Sequence, residues 1–328
     1  MSPVLCRHDQ PHLDAIAAHS VDWCGRDLDV VQWAKTPSGA EHHAWIDESG
    51  GSVIRLTPGR RARNGHTAVV DLVASPDAPT VDLLRVVTGF ADQWTALERL
   101  ELAVPADHAV IASALGLDFV VEVRQDDRYG GGRDGLVLGR LRPGFRPRAP
   151  APAPSWPNRE SVQPPPLPPW RFRPIEVHDA EAIRSLSVEP TVLFGTLQSP
   201  SSGVDFYADR NLKPRPGDFS GVLDIGGEVA GMGGLHPSGV GGVRILGMAV
   251  AHAWQGRGVG RHLLGMLLDA ARSLATRRVE LNVFEDNSRA IALYESAGFR
   301  VEGARRYDAI RAGGHATSLD MALIEPSS

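Results

Sequence analysis

The chain has 328 residues, 42% of them apolar, and carries 34 basic against 39 acidic side chains, a net charge of −5. That length accommodates two domains of ordinary size, and that apolar fraction belongs to a globular protein rather than a disordered one. The acidic balance gives no electrostatic case for nucleic-acid binding, and no apolar run reaches the roughly 18 residues that a membrane helix needs.

The opening MSPVLCRHDQPHLD lacks the basic-then-apolar pattern of a secretory signal, so the cytoplasm is the expected location. Cys6 and Cys24 are expected to be reduced thiols. His8, His12, His42 and His43 have no cysteine or acidic companions at a recognised ligand spacing, so no metal site is expected. HTAVVDLVAS, from His66, reads as a strand. It runs into PDAPT, where two prolines remove backbone N–H groups. RLELAVP (99–105) is a second strand. ALGLDFVVEVRQDDRYGGGRDGLVLGRL then reads as helix end, glycine stop, strand, glycine turn, strand.

After Leu141 prolines crowd the sequence from RPGFRPRAPAPAPSW to QPPPLPPW. Such a segment is expected to be extended polyproline, a semi-rigid spacer over 142–169 between domains at 1–141 and 170–328. The second half ends like the first, in SAGFRVEGARRYDAIRAGGHATSLDMAL. A constant offset of 182 pairs Gly116 with Gly298, Leu117 with Phe299 and Arg124 with Arg306, and predicts a duplicated fold.

In the second half VRILGMAV (243–250) is apolar enough for a buried strand. QGRGVG follows, and then Leu263, Leu264, Leu267, Leu268, Ala271 and Leu274 recur on one helical face. The order is strand, glycine loop, helix. A helix start leaves N–H groups unpaired and carries partial positive charge, while glycines permit positive φ and keep Cβ atoms out of a ligand's way. The stretch is a candidate diphosphate seat.

Gln255, Gly258 and Gly260 fit Q-x-x-G-x-G, and the motif with its surroundings resembles the GNAT superfamily of N-acetyltransferases over most of 170–325. VELNVFEDNSRAIALYESAGF (279–299) is similar to that family's fifth strand, Asn-headed helix and tyrosine signature, with Asn287, Ala290, Tyr294, Gly298 and Phe299 at matching positions. TLQSPSS (196–202) and EGARRYDAIRAGG (302–314) resemble, more narrowly, bacterial amino-acid N-acetyltransferases.

The resemblance implies an α/β fold made of tandem GNAT-like domains, each a mixed central sheet flanked by helices. It also implies acetyl-CoA as acyl donor, and transfer to the amine of a small molecule, an amino acid or related metabolite. Aminoglycosides, polyamines and protein N-termini stay open as acceptors, as does a non-enzymatic acyl-CoA sensor; a homodimer is compatible with either. The implied donor-binding residues are Met248 and Val250 through their backbone, Gln255, Gly256, Arg257, Gly258, Val259, Gly260 and Arg261 at the loop, and Asn287. Tyr294 is implied as the acid that gives the CoA thiolate its proton.

The base stays open. Several family members use a Glu twelve residues before the tyrosine, and here that place is Asn282. Glu280 on the same strand face, His236 in GGLHPSG, and ordered water with backbone carbonyls are the alternatives. In the first half the offset puts Ala112 at the tyrosine position, and PDAPT replaces the glycine loop. That half is expected to be a degenerate copy, with a structural or a regulatory role.

Overall fold

The structure is a computed structural model that describes residues 4–5, 43–46, 52–58, 65–74, 80–152, 154, 168–196, 203–205 and 216–324. Most of TLQSPSS, most of PDAPT, the two cysteines and much of the proline-rich stretch lie outside the described residues. Among the described residues no helix is long and apolar enough to cross a membrane. The chain divides into two compact units, Met1–Pro150 with Gly303–Thr317, and Ala151–Glu302 with Ser318–Ser328.

In the first unit β1 (Val4–Leu5), β2 (His43–Ile46), β3 (Ser52–Pro58) and β4 (Thr67–Ala74) pair antiparallel in sequence order. Helix α1 (Thr80–Trp94) carries the chain to β5 (Arg99–Pro105), which runs parallel to β4. After α2 (Val110–Leu115) come β6 (Val120–Gly130) and β7 (Arg133–Leu141), a hairpin whose second strand pairs antiparallel with β5. The core lies between the sheet and α1, around Leu56, Leu72, Leu84, Leu102 and Phe119. This unit runs past the expected end at 141. Arg142 donates its backbone N–H to Glu98 O and its guanidinium to Thr95 O, and Phe145 N–H closes a turn onto Arg142 O. The first residues expected to be spacer are therefore hydrogen-bonded, because a run poor in N–H donors is fixed here by arginines rather than by a ladder.

In the second unit β8 (Trp170–Arg173) leads to α3 (Ala180–Ser187) and the short α4 (Pro190–Gly195). Strands β9 (Phe219–Ile225), β10 (Glu228–Pro237) and β11 (Val243–Val250) are antiparallel neighbours, with β8 beyond β9. Helix α5 (Val259–Ser273) crosses to β12 (Arg278–Phe284), parallel to β11. Helix α6 (Ser288–Ser296) and the strands β13 (Arg300–Arg311) and β14 (Gly314–Ile324) complete the order, with β14 antiparallel to β12; of these two strands Arg300–Glu302 and Ser318–Ile324 belong to the second unit, and the stretch between them to the first. Leu263, Leu264, Leu267 and Leu268 pack α5 on one face of the sheet with Leu246, Leu281, Val283 and Tyr294. Ile183 of α3 packs on the other face, against Val222 with Met232 alongside. Gly233 allows the close approach of α5, since a Cβ there would sit 2.8 Å from Leu267 Cδ1.

The two units repeat one plan: antiparallel strands, a 15-residue crossover helix, a seven-residue parallel strand, a short helix and two final strands. The repeat is in register. Thr67, Ala68 and Val69 pair with Arg99, Leu100 and Glu101, and Val243, Arg244 and Ile245 pair with Arg278, Val279 and Glu280. The offset, however, is not 182 at the strand that follows the short helix. Gly116 caps α2 with φ −68°, and the left-handed residue there is Asp118 (φ 65°), which corresponds to Gly298 (φ 96°). Buried Phe119 then matches buried Phe299, and Ala114, not Ala112, stands where Tyr294 stands. Reading the glycines as equivalent misplaced the copies by two residues, because an aspartate does the work of a glycine in the first unit.

Each copy buries an arginine between two glutamates. Arg99 donates to Glu101 at 2.9 Å and also to Glu122. Arg278 donates to Glu280 at 3.3 Å and to both oxygens of Glu302 at 2.8 and 2.5 Å. Both arginine side chains are 0% exposed. Burial works against each charge, and the facing carboxylates more than offset it, so both guanidinium pKa values are raised. Removing one member of such a group leaves buried charge without its partner, a loss of roughly 3–5 kcal/mol. Arg278→Ala should lower the stability of the chain by about that much, measured by urea unfolding, and Arg278→Lys should recover only part of it because an ammonium cannot make the fork.

Candidate active site

The parallel ladder between β11 and β12 covers three residue pairs and ends at Ile245 and Glu280. Both strands continue, β11 to Val250 and β12 to Phe284, and their far ends frame a gap. Beyond β11 the chain makes a short 3-10 turn, His252–Trp254, and enters the glycine loop. Gly256 has φ 72°, and Gly258, the N-cap of α5, has φ 85°. These are left-handed conformations that a Cβ makes costly. A Cβ on Gly258 would meet no atom of the described residues within 4 Å, so among them the space above the helix start is open. At Gly260 the nearest atoms to a Cβ would be Leu293 Cδ2, Val250 Cγ2 and Met248 Cε, at 3.4, 3.8 and 4.0 Å. The fold thus gathers the loop, the end of β11 and helix α6 in one place. Val259 is buried and Arg261 exposed, while the Arg257 guanidinium lies over the Trp254 ring, 5.2 Å from its centroid.

Helix α4 and the residue that caps it fasten this turn. Glu189 Oε2 accepts the His252 N–H at 2.6 Å, and Gln255 Nε2 donates both to Thr191 Oγ1 at 3.0 Å and to Val250 O at 2.9 Å. With its amide so directed, Gln255 Oε1 is buried and has no partner among the described residues. A buried acceptor of that kind calls for a donor from a ligand. Glu189 and Thr191 were not found from the sequence, since nothing in VEPTVLFG marks which turn the segment meets.

Asn287 caps α6, accepting the Ala290 N–H at 3.3 Å. Its Nδ2 lies beside Gly195, where a Cβ would stand 3.0 Å away. Tyr294 is 9% exposed, tilted against Phe299 with ring centroids 5.7 Å apart. Burial pushes its phenol up to about 12, so the group holds its proton throughout the physiological range.

His236 and Glu280 sit elsewhere. His236 pairs across β10 and β11 with Ile245, and Ile245 pairs with Glu280, so the three form one rung, the last paired rung of the ladder. Val250 pairs with Gly231, five residues from His236, or roughly 17 Å along the strand. His236 Nδ1 is 2.9 Å from Asp218 Oδ1, and Glu280 faces Arg278. Neither is brought to Tyr294. The polar groups that do lie by the gap are Asn282, exposed on β12, and its cross-strand neighbour Asp320 on β14, 4% exposed. Asp320 went unnoticed in the sequence; the alternation of Ser318, Asp320 and Ala322 in HATSLDMAL was the available signal. Among the described residues no group of His, Cys, Asp and Glu is placed to hold a metal ion.

Residues 181–299 match the family model described as the acetyltransferase (GNAT) family. The chain is 32% identical over 164 residues to the L-amino acid N-acetyltransferase AaaT of Escherichia coli, an alignment spanning 47% of this chain and 97% of that protein. It is 51% identical over 59 residues to the N-alpha-acetyltransferase RimI of Mycobacterium tuberculosis, which covers 18% of this chain and 35% of that one. A GCN5-related N-acetyltransferase structure from Kribbella flavida aligns with 48% of this chain and 98% of its own at 25% identity, with a TM-score of 0.43. With a relative of this identity spanned almost end to end, the chain belongs to the GNAT family and is an N-acetyltransferase that takes its acyl group from acetyl-CoA.

Proposed function

We propose that the C-terminal copy acetylates the α-amine of an amino acid or a closely related small amine, and that the N-terminal copy is non-catalytic. The observation that carries the site is the open end of the β11–β12 ladder beside the glycine-capped start of α5. The acceptor class follows from the relative spanned at 97% of its length, which is named for L-amino acids. The shorter match to an N-alpha-acetyltransferase favours, as a second reading, the N-terminus of a protein.

Acetyl-CoA supplies an acyl group already activated as a thioester. The N–H groups at the head of α5 and the loop before it, with Gly256, Gly258 and Gly260 keeping side chains away, hold the diphosphate. Past Ile245, β11 runs beyond the ladder with β12, which leaves alternate N–H and C=O groups between Met248 and Val250 for the pantetheine arm and the thioester oxygen. Asn287 keeps bonding capacity beyond its cap for the same arm. The amine forms its bond to the acyl carbon as the C–S bond breaks, and Tyr294 gives its proton to the departing sulfur. The proton lost by the amine leaves through water, because Glu280 is committed to Arg278. The N-terminal copy has alanine, Ala114, in place of the phenol.

Three measurements test this reading. Thiol release should be stimulated by amino acids more than by polyamines, aminoglycosides or peptides; stimulation by peptides alone would select the second acceptor, and no stimulation by any amine would remove both. Gly258→Asp places a Cβ at φ 85° and an anion facing phosphates, so acetyl-CoA affinity should fall at least about tenfold by calorimetry. Unchanged affinity in the folded variant would overturn the diphosphate seat.

Tyr294→Phe should lower kcat by about 10²–10⁴-fold while acetyl-CoA affinity stays within a few-fold. The phenol is an acid whose folded pKa, about 12, lies above its unfolded one, so the protonated form persists as pH rises. The wild-type rate should therefore show no alkaline loss through this group up to about pH 10. An alkaline limb below pH 9 that disappears in Tyr294→Phe would contradict the raised pKa.

A further inference from the structure

The duplicated fold holds its own control. The buried Arg–Glu groups occur in both copies, in the same register, although the first copy has an alanine in place of the tyrosine. They are devices of the fold. A second polar pair occurs in one copy only. Asn282 on β12 pairs with Asp320 on β14, and the corresponding pair on β5 and β7 is Ala103 with Val137. Both Asn282 and Ala103 are exposed positions in otherwise buried strands, so the site on the sheet is the same and the chemistry is not. Where folding does not require a buried carboxylate, its presence beside the gap asks for another reason.

The geometry gives one. Asn282 Nδ2 donates to Asp320 Oδ1 at 2.5 Å. A carboxylate only accepts hydrogen bonds, so the amide is held with Nδ2 toward Asp320 and Oδ1 turned away from it. Asn282 stands two residues past the last β11–β12 pair, on the face it shares with Glu280, Ile245 and Gly247. Ile245 is 39% exposed, and Gly247 is exposed with nothing among the described residues within 4 Å of a Cβ, so among these residues the face is an open floor. The opposite face carries Leu281, Val283 and Tyr294 in the core. Tyr294 and Asn282 thus lie on opposite faces of the sheet.

We infer that Asn282 Oδ1 accepts an N–H of the incoming amine and so aims its lone pair at the acyl carbon, and that Asp320 is the positioning residue that fixes the amide in this sense. Asn282 takes no proton. One N–H of the neutral amine is engaged, and the other proton departs to water after the N–C bond has formed. This rests on the amine-acetylating reading above.

The test uses the full chain and the amine that gives most thiol release. Asn282→Ala removes the acceptor oxygen, and Asp320→Asn lets the amide turn either way. Each should raise KM for the amine about tenfold while KM for acetyl-CoA and the amine-independent release of thiol change less than about twofold. The double exchange, Asn282→Asp with Asp320→Asn, restores a donor below and an acceptor oxygen above, and should bring KM for the amine back to within about threefold of wild type. It also adds a titratable group, so kcat/KM should show a second acid-side break beyond the one that protonation of the amine already gives the wild type. If either single variant leaves KM for the amine unchanged, or raises KM for acetyl-CoA equally, the assignment is overturned. So is it if the double exchange is no better than the single variants. Should Asp320→Asn fail to fold, the exposed Asn282→Ala still decides. Absence of amine-stimulated thiol release in the wild type would instead reject the amine-acetylating reading itself, a separate and distinguishable outcome.

Discussion

The fold and the site both turn on how few residues of β11 and β12 are allowed to pair. A parallel ladder of three pairs is short for strands of eight and seven residues, and something must hold it at one end while it opens at the other. Arg278, in the first pair, is buried against Glu280, in the third, and against Glu302 on β13. Coulomb attraction between groups removed from water is strong, and a guanidinium fork fixes direction as well as distance. Such a group is poor evidence of net stability, because two carboxylates and a cation have been desolvated to make it. Its effect is geometric. The closed end is pinned, and the strands part beyond it without losing their place in the sheet.

That constraint explains why the glycine loop can be where it is. A strand free of its partner on one side can bend into the turn at His252–Trp254, and the turn aims the head of α5 back at the gap. The loop is then secured at its first residue, through Gln255 to Thr191, and through the preceding turn to Glu189, rather than at its glycines. A loop of glycines has no side chains with which to hold itself, and the backbone freedom that suits it to an anion would otherwise leave its conformation undetermined. Gln255 carries both duties: Nε2 ties the turn to Thr191 and Val250, and Oε1 is left buried and unanswered.

Much of this was legible in the sequence because it is local. QGRGVGRHLL states loop and helix start within ten residues, and the leucine spacing of α5 appears as the buried stripe that packs on the sheet. The duplication was legible too, but not its register. Glycine was taken as the mark of the left-handed turn after each short helix, and in the first copy Asp118 fills that place. What stayed hidden depends on cross-strand neighbours. Glu280 and Asn282 are two residues apart on one strand face, and only the pairing shows that the first meets Arg278 while the second meets Asp320 thirty-eight residues on. His236 and Glu280 read as alternatives for one role, yet they occupy one rung of the sheet.

A repeated fold separates what folding needs from what chemistry needs, provided the two copies are compared by strand register and not by sequence motif. Both copies must close a short parallel ladder, and both bury the same arginine between two glutamates. On the proposed reading only one presents an amine to a thioester, and only that one has asparagine and aspartate in place of alanine and valine at the corresponding rung. Burying Asp320 has a desolvation cost that the first copy avoids with Val137, and the hydrogen bond from Asn282 offsets only part of that cost. A copy free to place valine there would be the more easily stabilised. The asymmetry is therefore against stability and toward the open face of the gap, where a fixed carbonyl oxygen has something to bind.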